Sequence, residues 1–138
     1  MSAQQRYDAA MPDKYKLIHS FTLPRPPSVN GMYDQRKSGK RVKSKAYLEW
    51  MRRSKPILQN QMIEKRIFKA IDRPVSVLIT IEPNTRHKQD AANYEKAVSD
   101  IMVHMGVLSD DSLIQTNMQR IDWDKLKGDV IHYDIYGV

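Results

Sequence analysis

The sequence predicts an α+β fold, in which a small mixed β-sheet has helices packed against it. Residues 75–81 and 130–136 alternate large apolar side chains as strands do, whereas residues 93–105 repeat them at the period of a helix. The predicted order of elements is strand, basic loop, helix, strand, helix, strand, strand, which suits a sheet covered by helices. At 138 residues, the chain is long enough for one domain with one hydrophobic core.

The chain begins with a polar stretch that has no periodicity. We therefore expect a flexible N-terminal extension over residues 1–14 and a single domain over residues 15–138. The alternation of YKLIHSFTL predicts a first strand over residues 15–23. The three prolines of PRPPSVN, residues 24–30, exclude a helix and favour an extended segment that serves as a rigid connector.

The segment RKSGKRVKSK, residues 36–45, carries six basic side chains and no acidic one. Ser38 and Gly39 signal a turn, so we expect a short hairpin or a mobile loop. A solvated loop without a partner would have a similar composition, but the absence of acids favours contact with phosphate.

Residues 45–69 have the pattern of a helix, and Pro56 within them predicts a kink or two consecutive helices. Trp50 falls in the apolar stripe, which favours a core position over stacking on a base. The segment Val75–Ile81 is rich in β-branched residues and is expected to form a central strand.

The helix predicted over residues 93–105 has the clearest periodicity. Its apolar residues fall at i, i+3, i+4, i+7, i+8 and i+11 from Tyr94, and Gly106 suits its C-terminal cap. Three elements are predicted after it: strands over residues 113–121 and 130–136, and a hairpin turn over residues 124–128.

Composition narrows the class of partner. The net charge of +7 and the sequence pI near 9.6 favour a polyanion such as nucleic acid, although a soluble domain with many lysines would look similar. The absence of cysteine excludes disulfides, thiolate zinc sites and cysteine nucleophiles, and it is compatible with a reducing cytoplasm. The sequence has the features of neither a signal peptide nor a membrane span.

Three carboxylates flank the helix predicted over residues 93–105, with Asp90 before it and Asp110 and Asp111 after it. Hard divalent cations such as Mg²⁺ prefer oxygen ligands, so these acids would form a metal site if the fold brought them to one sheet edge. An Asp-Asp pair is also typical of a turn or a helix cap. Lys96 is either a solvent-facing helix residue or a cation for a phosphate. The four histidines lack metal-ligand spacing and are interpreted as structural or surface residues.

Four elements in this order resemble the RusA-type Holliday-junction resolvases: the PPSVN segment, the RKSGKRVKS loop, D-x-x-N-x-x-K-x-x-x-D and G-V-L-x-D-D. The resemblance spans residues 16–137. It implies a small α+β, homodimeric, Mg²⁺-dependent endonuclease of bacterial or phage origin, with Mn²⁺ as a substitute metal. It also implies a protein of the bacterial cytoplasm that nicks four-way DNA junctions symmetrically, by metal-assisted hydrolysis of a phosphodiester.

The resemblance assigns roles to individual residues. Asp90 and Asp111 correspond to metal-binding carboxylates, Asp110 is a further candidate ligand, and Lys96 corresponds to the catalytic lysine. DNA contacts are expected from the basic loop and two asparagines: Asn30, Arg36, Lys37, Lys40, Arg41, Lys43, Lys45 and Asn93.

The chain departs from the family pattern at Ala92, where the family has an aspartate. Alanine cannot bind a metal, so one of the catalytic acids is missing. Three explanations compete: deliberate replacement to give a protein that binds junctions without cutting, natural loss of cutting with retained binding, or compensation by Glu95 or Asp100. The intact Lys96 and Asp111 favour the first, because an idle site should drift at several positions.

Three classes of function stay open at this point. The leading one is a junction-resolving endonuclease, here impaired by Ala92, and a homodimer would suit it because a four-way junction has near two-fold symmetry. The second is a non-catalytic binder of branched DNA. The third is an RNA-binding or ribonuclease module with a similar basic surface.

Overall fold

Four strands form a mixed sheet, and two short strands form a separate hairpin. The computed structural model describes residues 15–28, 31–83, 94–125 and 128–137. Within them the strands are β1 (Lys16–Pro24), β2 (Tyr33–Gln35), β3 (Arg41–Lys43), β4 (Val75–Ile81), β5 (Ile114–Ile121) and β6 (Val130–Gly137). The helices are α1 (Lys45–Glu64) and α2 (Glu95–His104), and a 3-10 turn covers Asp111–Leu113. The predicted α+β class, a mixed sheet with helices against it, is confirmed.

Strand β4 is an interior strand of the sheet, whose order is β1–β6–β4–β5. It pairs antiparallel with β6 on one side and parallel with β5 on the other. All seven of its residues are buried, which fits its nearly continuous run of apolar and β-branched side chains. The prediction of a central strand over these residues is confirmed.

The connection between β5 and β6 differs from the prediction. Because β4 lies between these two strands, the predicted hairpin turn over residues 124–128 is wrong. A strand that is buried on both faces gains most when both of its edges are paired, so β5 and β6 each pair with β4 instead of with each other. Exposure alternates along β5, which lies at the edge of the sheet.

Helix α2 buries its apolar stripe against the sheet. Ala97, Val98, Ile101 and Met102 are fully buried and share one core with residues of β1, β4, β6 and α1. Gly106 ends the helix with a φ of 84°, and the Val107 N–H donates to the Met102 carbonyl at 2.8 Å. The stripe and the glycine cap are thus confirmed, whereas the predicted start of the helix at residue 93 lies outside the described residues.

Helix α1 is a single helix that contains Pro56, so the prediction of two consecutive helices is wrong. Proline removes one backbone hydrogen bond, but Trp50 and Leu58 on either side of it are both buried and hold the helix against the sheet. The helix ends at Glu64, short of the predicted residue 69. Arg66 adopts a φ of 56° there, and the Ile67 N–H donates to the Met62 carbonyl at 2.9 Å, the Schellman arrangement that stops a helix.

The basic loop forms the hairpin of β2 and β3, as one of the two sequence alternatives predicted. Gly39 has a φ of 83° at the turn, and its N–H donates to the Arg36 carbonyl at 2.8 Å. We call residues 33–43 the basic hairpin. It leads directly into α1, whose first turn is capped by the side chain of Ser44, which accepts from the Tyr47 N–H at 3.1 Å.

Two leucines on α1 provide a matched test of this packing. Leu58 is fully buried and Leu48 is 52% exposed. We expect Leu58→Ala to lower the free energy of unfolding by about 2–5 kcal/mol, because it removes core contacts and leaves a cavity. Leu48→Ala should cost under about 1 kcal/mol. Urea unfolding followed by circular dichroism measures both, and equal losses would contradict the assigned face of α1.

Candidate functional site

Two backbone hydrogen bonds, which we call the backbone anchor, join the segment after α2 to the segment before β4. Ile71, just ahead of β4, accepts from the Ser109 N–H at 3.0 Å and donates its own N–H to the Val107 carbonyl at 2.9 Å. Leu108 is buried beside it. These contacts fix the segment that follows α2, so Asp110 and Asp111 emerge at a defined position next to the last turn of the helix.

Asp110 acts as the cap of the 3-10 turn that follows it. Its side chain accepts from the Ser112 N–H at 2.8 Å, and this backbone hydrogen bond lowers the pKa of the Asp110 carboxyl. This is the turn-and-cap role that an Asp-Asp pair also predicts. Asp111 is the first residue of the turn and is exposed.

Asp100 receives two partners on the same carboxylate oxygen. The Lys96 Nζ, one turn earlier on α2, lies 3.8 Å from the Asp100 Oδ2. The Tyr47 hydroxyl, which comes from α1, donates to the same Oδ2 at 3.3 Å. Burial, followed by the negative charge of Asp100, raises the pKa of Tyr47 well above its usual range, so the phenol stays a hydrogen-bond donor.

The side chains of Tyr47, Asp100, Asp110 and Asp111 line one cleft of about 430 Å³, which we call the acidic cleft. Its lining comes from the basic hairpin, both helices and the turn after α2: Lys43, Tyr47, Met51, Asp100, Val103, His104, Asp110 and Asp111. Asp100 and the adjacent pair Asp110 and Asp111 thus share a single concave surface with Lys43. Among the described residues, no group of three or more histidine, aspartate or glutamate side chains is close enough together to hold a metal ion.

The basic hairpin reaches the acidic cleft at its base. The Lys43 Nζ lies 5.8 Å from the centre of the Tyr47 ring, and the Arg41 guanidinium lies 4.6 Å from the centre of the Tyr33 ring. The predicted phosphate-binding side chains of the hairpin are exposed to solvent: Arg36, Lys37, Lys40, Arg41 and Lys43. Positive charge therefore extends from the tip of the hairpin to the edge of the acids.

Part of the predicted site falls outside the described residues, namely Asn30, Asp90, Ala92 and Asn93. The convergence of Asp90 with Asp111 consequently stays a prediction. The position of α2 limits how this convergence could occur. The ten residues of α2 span about 15 Å, and they separate Tyr94 from the turn that carries Asp111. The two carboxylates meet only if the chain between residues 83 and 94 brings Asp90 back along the helix.

Two residues at this site were not singled out by the sequence, Tyr47 and Arg25. Tyr47 falls in the same apolar stripe as Trp50, and its polar partner Asp100 is distant in sequence. The Arg25 guanidinium donates to the Tyr94 hydroxyl at 2.6 Å and to the Glu82 carbonyl at 3.4 Å. It thereby ties together the two ends of the segment that contains Asp90, a role that no local pattern signals.

Two further predictions concern aromatic and histidine side chains. Trp50 is 4% exposed, and its Nε1 donates to the Pro24 carbonyl at 2.7 Å, so its predicted core position is confirmed. His132 bonds through Nε2 to the buried Glu82 carboxylate at 2.9 Å and through Nδ1 to the Thr22 hydroxyl at 3.1 Å. This histidine has a structural place in the sheet, whereas His104 lines the acidic cleft.

A small mixed sheet that sets a basic hairpin beside a cleft of carboxylates defines an α+β protein suited to a phosphodiester substrate. The chain belongs to the endodeoxyribonuclease RusA family, whose model matches residues 24–134. Family membership implies an endonuclease that resolves Holliday junctions, the class that the sequence motifs predict. No curated protein matches the chain at a significant level. No helix within the described ranges is long and apolar enough to cross a membrane.

The link between Tyr47 and Asp100 can be tested by titration. Asp100→Asn removes a negative charge beside the phenol, so the pKa of Tyr47 should fall. It should stay above the ordinary value of 10.0, because burial is the larger cause of the shift. Tyrosinate absorbance gives the titration, and subtracting the curve of Tyr47→Phe isolates this residue. An unchanged curve would show that Asp100 does not act on Tyr47.

Proposed function

We propose that this chain binds four-way or otherwise branched DNA and that its fold carries the site of a Mg²⁺-dependent endonuclease that cuts such junctions symmetrically. One observation carries the proposal: the acidic cleft joins Lys43 of the basic hairpin with Asp100, Asp110 and Asp111. Cations that bind a DNA backbone and acids that suit a hard metal thus lie on adjoining surfaces.

The donors in and beside the acidic cleft fit Mg²⁺ in their chemistry, because they are carboxylate oxygens on a solvent-accessible surface. Asp111 and Asp90 would hold the ion, with Asp110 as a further candidate, and Mn²⁺ could take its place. When bound, the ion would supply activation of a water molecule and neutralise charge on the phosphate. Lys96 would stabilise negative charge on the same phosphate group.

The protein side chains outside the metal set hold and orient the DNA. Exposed cations on the basic hairpin would neutralise backbone phosphates without reading the base sequence. Lys45, the exposed first residue of α1, adds one more cation two residues after the end of the basic hairpin. Such contacts depend on charge rather than on a metal, so binding should survive when cutting is impaired.

Ala92 is the reason to propose impaired cutting in this chain. Glu95 and Asp100 are the acids that could replace a carboxylate at that position, and both have other partners. Ser99 donates to the Glu95 Oε1 at 2.7 Å and contacts the Tyr133 hydroxyl at 2.9 Å. The Asp100 Oδ2 is held by Tyr47 and Lys96. If Glu95 or Asp100 replaced the missing carboxylate, it would lose these contacts. We therefore favour a protein that binds junctions and cuts them poorly. The alternative is a junction binder without catalytic activity.

We also propose that the protein acts as a homodimer, because two opposed cuts require two sites related by two-fold symmetry. The proposed location is the cytoplasm of a bacterial host, where junction DNA would be found. Exposed apolar side chains on α1 offer contact surface for a second copy: Leu48, Ile57 and Ile63. Sedimentation of the protein with and without a junction tests this assembly.

Restoring the missing carboxylate is the central test of function. We expect Ala92→Asp to cut a synthetic four-way junction with Mg²⁺ about 10- to 100-fold faster than the unchanged chain, or more, since loss of even an outer-shell partner of a metal ligand costs about that much. Asp111→Asn in the same background should abolish cutting while junction binding remains. A folded, DNA-bound Ala92→Asp protein that stays inactive with both Mg²⁺ and Mn²⁺ would refute the metal assignment.

The basic hairpin can be tested separately through the salt dependence of binding. Lys37→Ala with Lys40→Ala should weaken junction binding and reduce the slope of log K against log salt concentration by about 1 for each lost phosphate contact. Lys65→Ala with Lys69→Ala is the matched control, because it also removes two exposed charges, and these lie at and beyond the opposite end of α1, about 30 Å along the 20-residue helix. Equal effects of the two changes would indicate diffuse attraction instead of a hairpin site. Competition with duplex DNA and structured RNA at fixed salt separates junction binding from an RNA function.

A further inference from the structure

Asp100 occupies the point where the two helices meet across the acidic cleft. It lies in the middle of α2, and its carboxylate faces Tyr47, which projects from the first turn of α1. Its side chain is partly shielded, at 31% exposed, while Lys96 is 47% exposed. A carboxylate in this setting can order a more mobile cation beside it.

The two partners of Asp100 differ in rigidity. Tyr47 is 1% exposed, and its ring packs between Tyr33 and Trp50, with centroids 6.1 Å from each. Its hydroxyl therefore offers a fixed donor to the Asp100 carboxylate. Lys96, by contrast, has a flexible stem and is about half exposed, so its ammonium position depends on the charge beside it.

We propose that Asp100 is a positioning residue for Lys96: its carboxylate, oriented by the Tyr47 hydroxyl, holds the Lys96 ammonium beside the acidic cleft for the scissile phosphate of DNA. The inference rests on the proposed function, in which Lys96 meets that phosphate. In this role Asp100 holds Lys96 and does not replace, as a metal ligand, the carboxylate that is missing at Ala92. Tyr47 becomes part of the same unit, because it determines which way the carboxylate points.

The contact itself is tested without any activity. Nuclear magnetic resonance of side-chain ammonium groups, with Lys96→Arg to assign the signal, reports proton exchange of Lys96 with water. Asp100→Asn should speed this exchange about two- to fivefold, the range that fits a partly exposed ion pair, and Tyr47→Phe should produce a smaller change in the same direction. Asp110→Asn is the matched control, since it removes an equal charge from the same cleft, and it should leave the exchange unaltered.

The consequence for cutting is tested in the Ala92→Asp background. Asp100→Asn should reduce kcat about tenfold or more and leave KM for the junction within about twofold. The reason is that a displaced Lys96 ammonium would no longer stabilise the reacting phosphate, while the contacts that bind the rest of the junction would be unchanged. Asp100→Glu should restore part of the rate, and Glu49→Gln, a surface change on α1, should leave the rate unchanged.

The outcomes separate this inference from the proposed function. Unchanged Lys96 exchange in Asp100→Asn overturns the positioning role, whatever the activity. Loss of Mg²⁺ affinity in that variant, with Lys96 exchange unchanged, would make Asp100 a metal ligand and also overturn it. An Ala92→Asp protein that fails to cut would count against the proposed function, while the exchange measurement would still decide whether Asp100 holds Lys96.

Discussion

The burial of β4 on both faces is the constraint on which the rest of the molecule depends. A buried strand needs paired strands at both edges, because its backbone groups have no access to water, and its apolar side chains need packed neighbours. β5 and β6 pair with the two edges of β4, and α2 packs in the same core. The connection from β5 to β6 therefore crosses from one side of β4 to the other. The short backbone anchor at Ile71 then holds the end of α2 next to the start of β4. The polar cleft is a consequence of this apolar packing.

The acidic cleft combines charges of both signs, and this combination shapes its chemistry. Asp100, Asp110 and Asp111 alone would repel a DNA backbone, while the exposed cations of the basic hairpin attract it. Lys43 stands where the two regions meet. In the proposed function, the hairpin attracts the phosphodiester and the carboxylates hold the divalent cation, so binding and cutting would depend on different residues.

Several hydrogen bonds around the cleft hold loops and other side chains of the protein in place. Arg25 joins Glu82 to Tyr94, and so ties down both ends of the segment that carries Asp90. Asp110 caps the turn that presents Asp111. The Tyr47 hydroxyl donates to the Asp100 carboxylate. The proline-containing segment, predicted to be a rigid connector, thus also supplies Arg25, which links the end of β4 to the start of α2.

Local pattern was enough to predict β4 and α2, because each carries a clear strand or helix period, but it did not predict that α1 continues unbroken through Pro56 and ends at Glu64. The motif elements were enough to indicate the family and to expose Ala92 as a departure from it. The pairing of strands could not be predicted in the same way: β5 and β6 are close in sequence, yet each pairs with β4 because burying that strand outweighs a short connection. The contact between Tyr47 and Asp100 also belongs to the tertiary structure alone, since residues 53 positions apart meet only when both helices pack on one sheet.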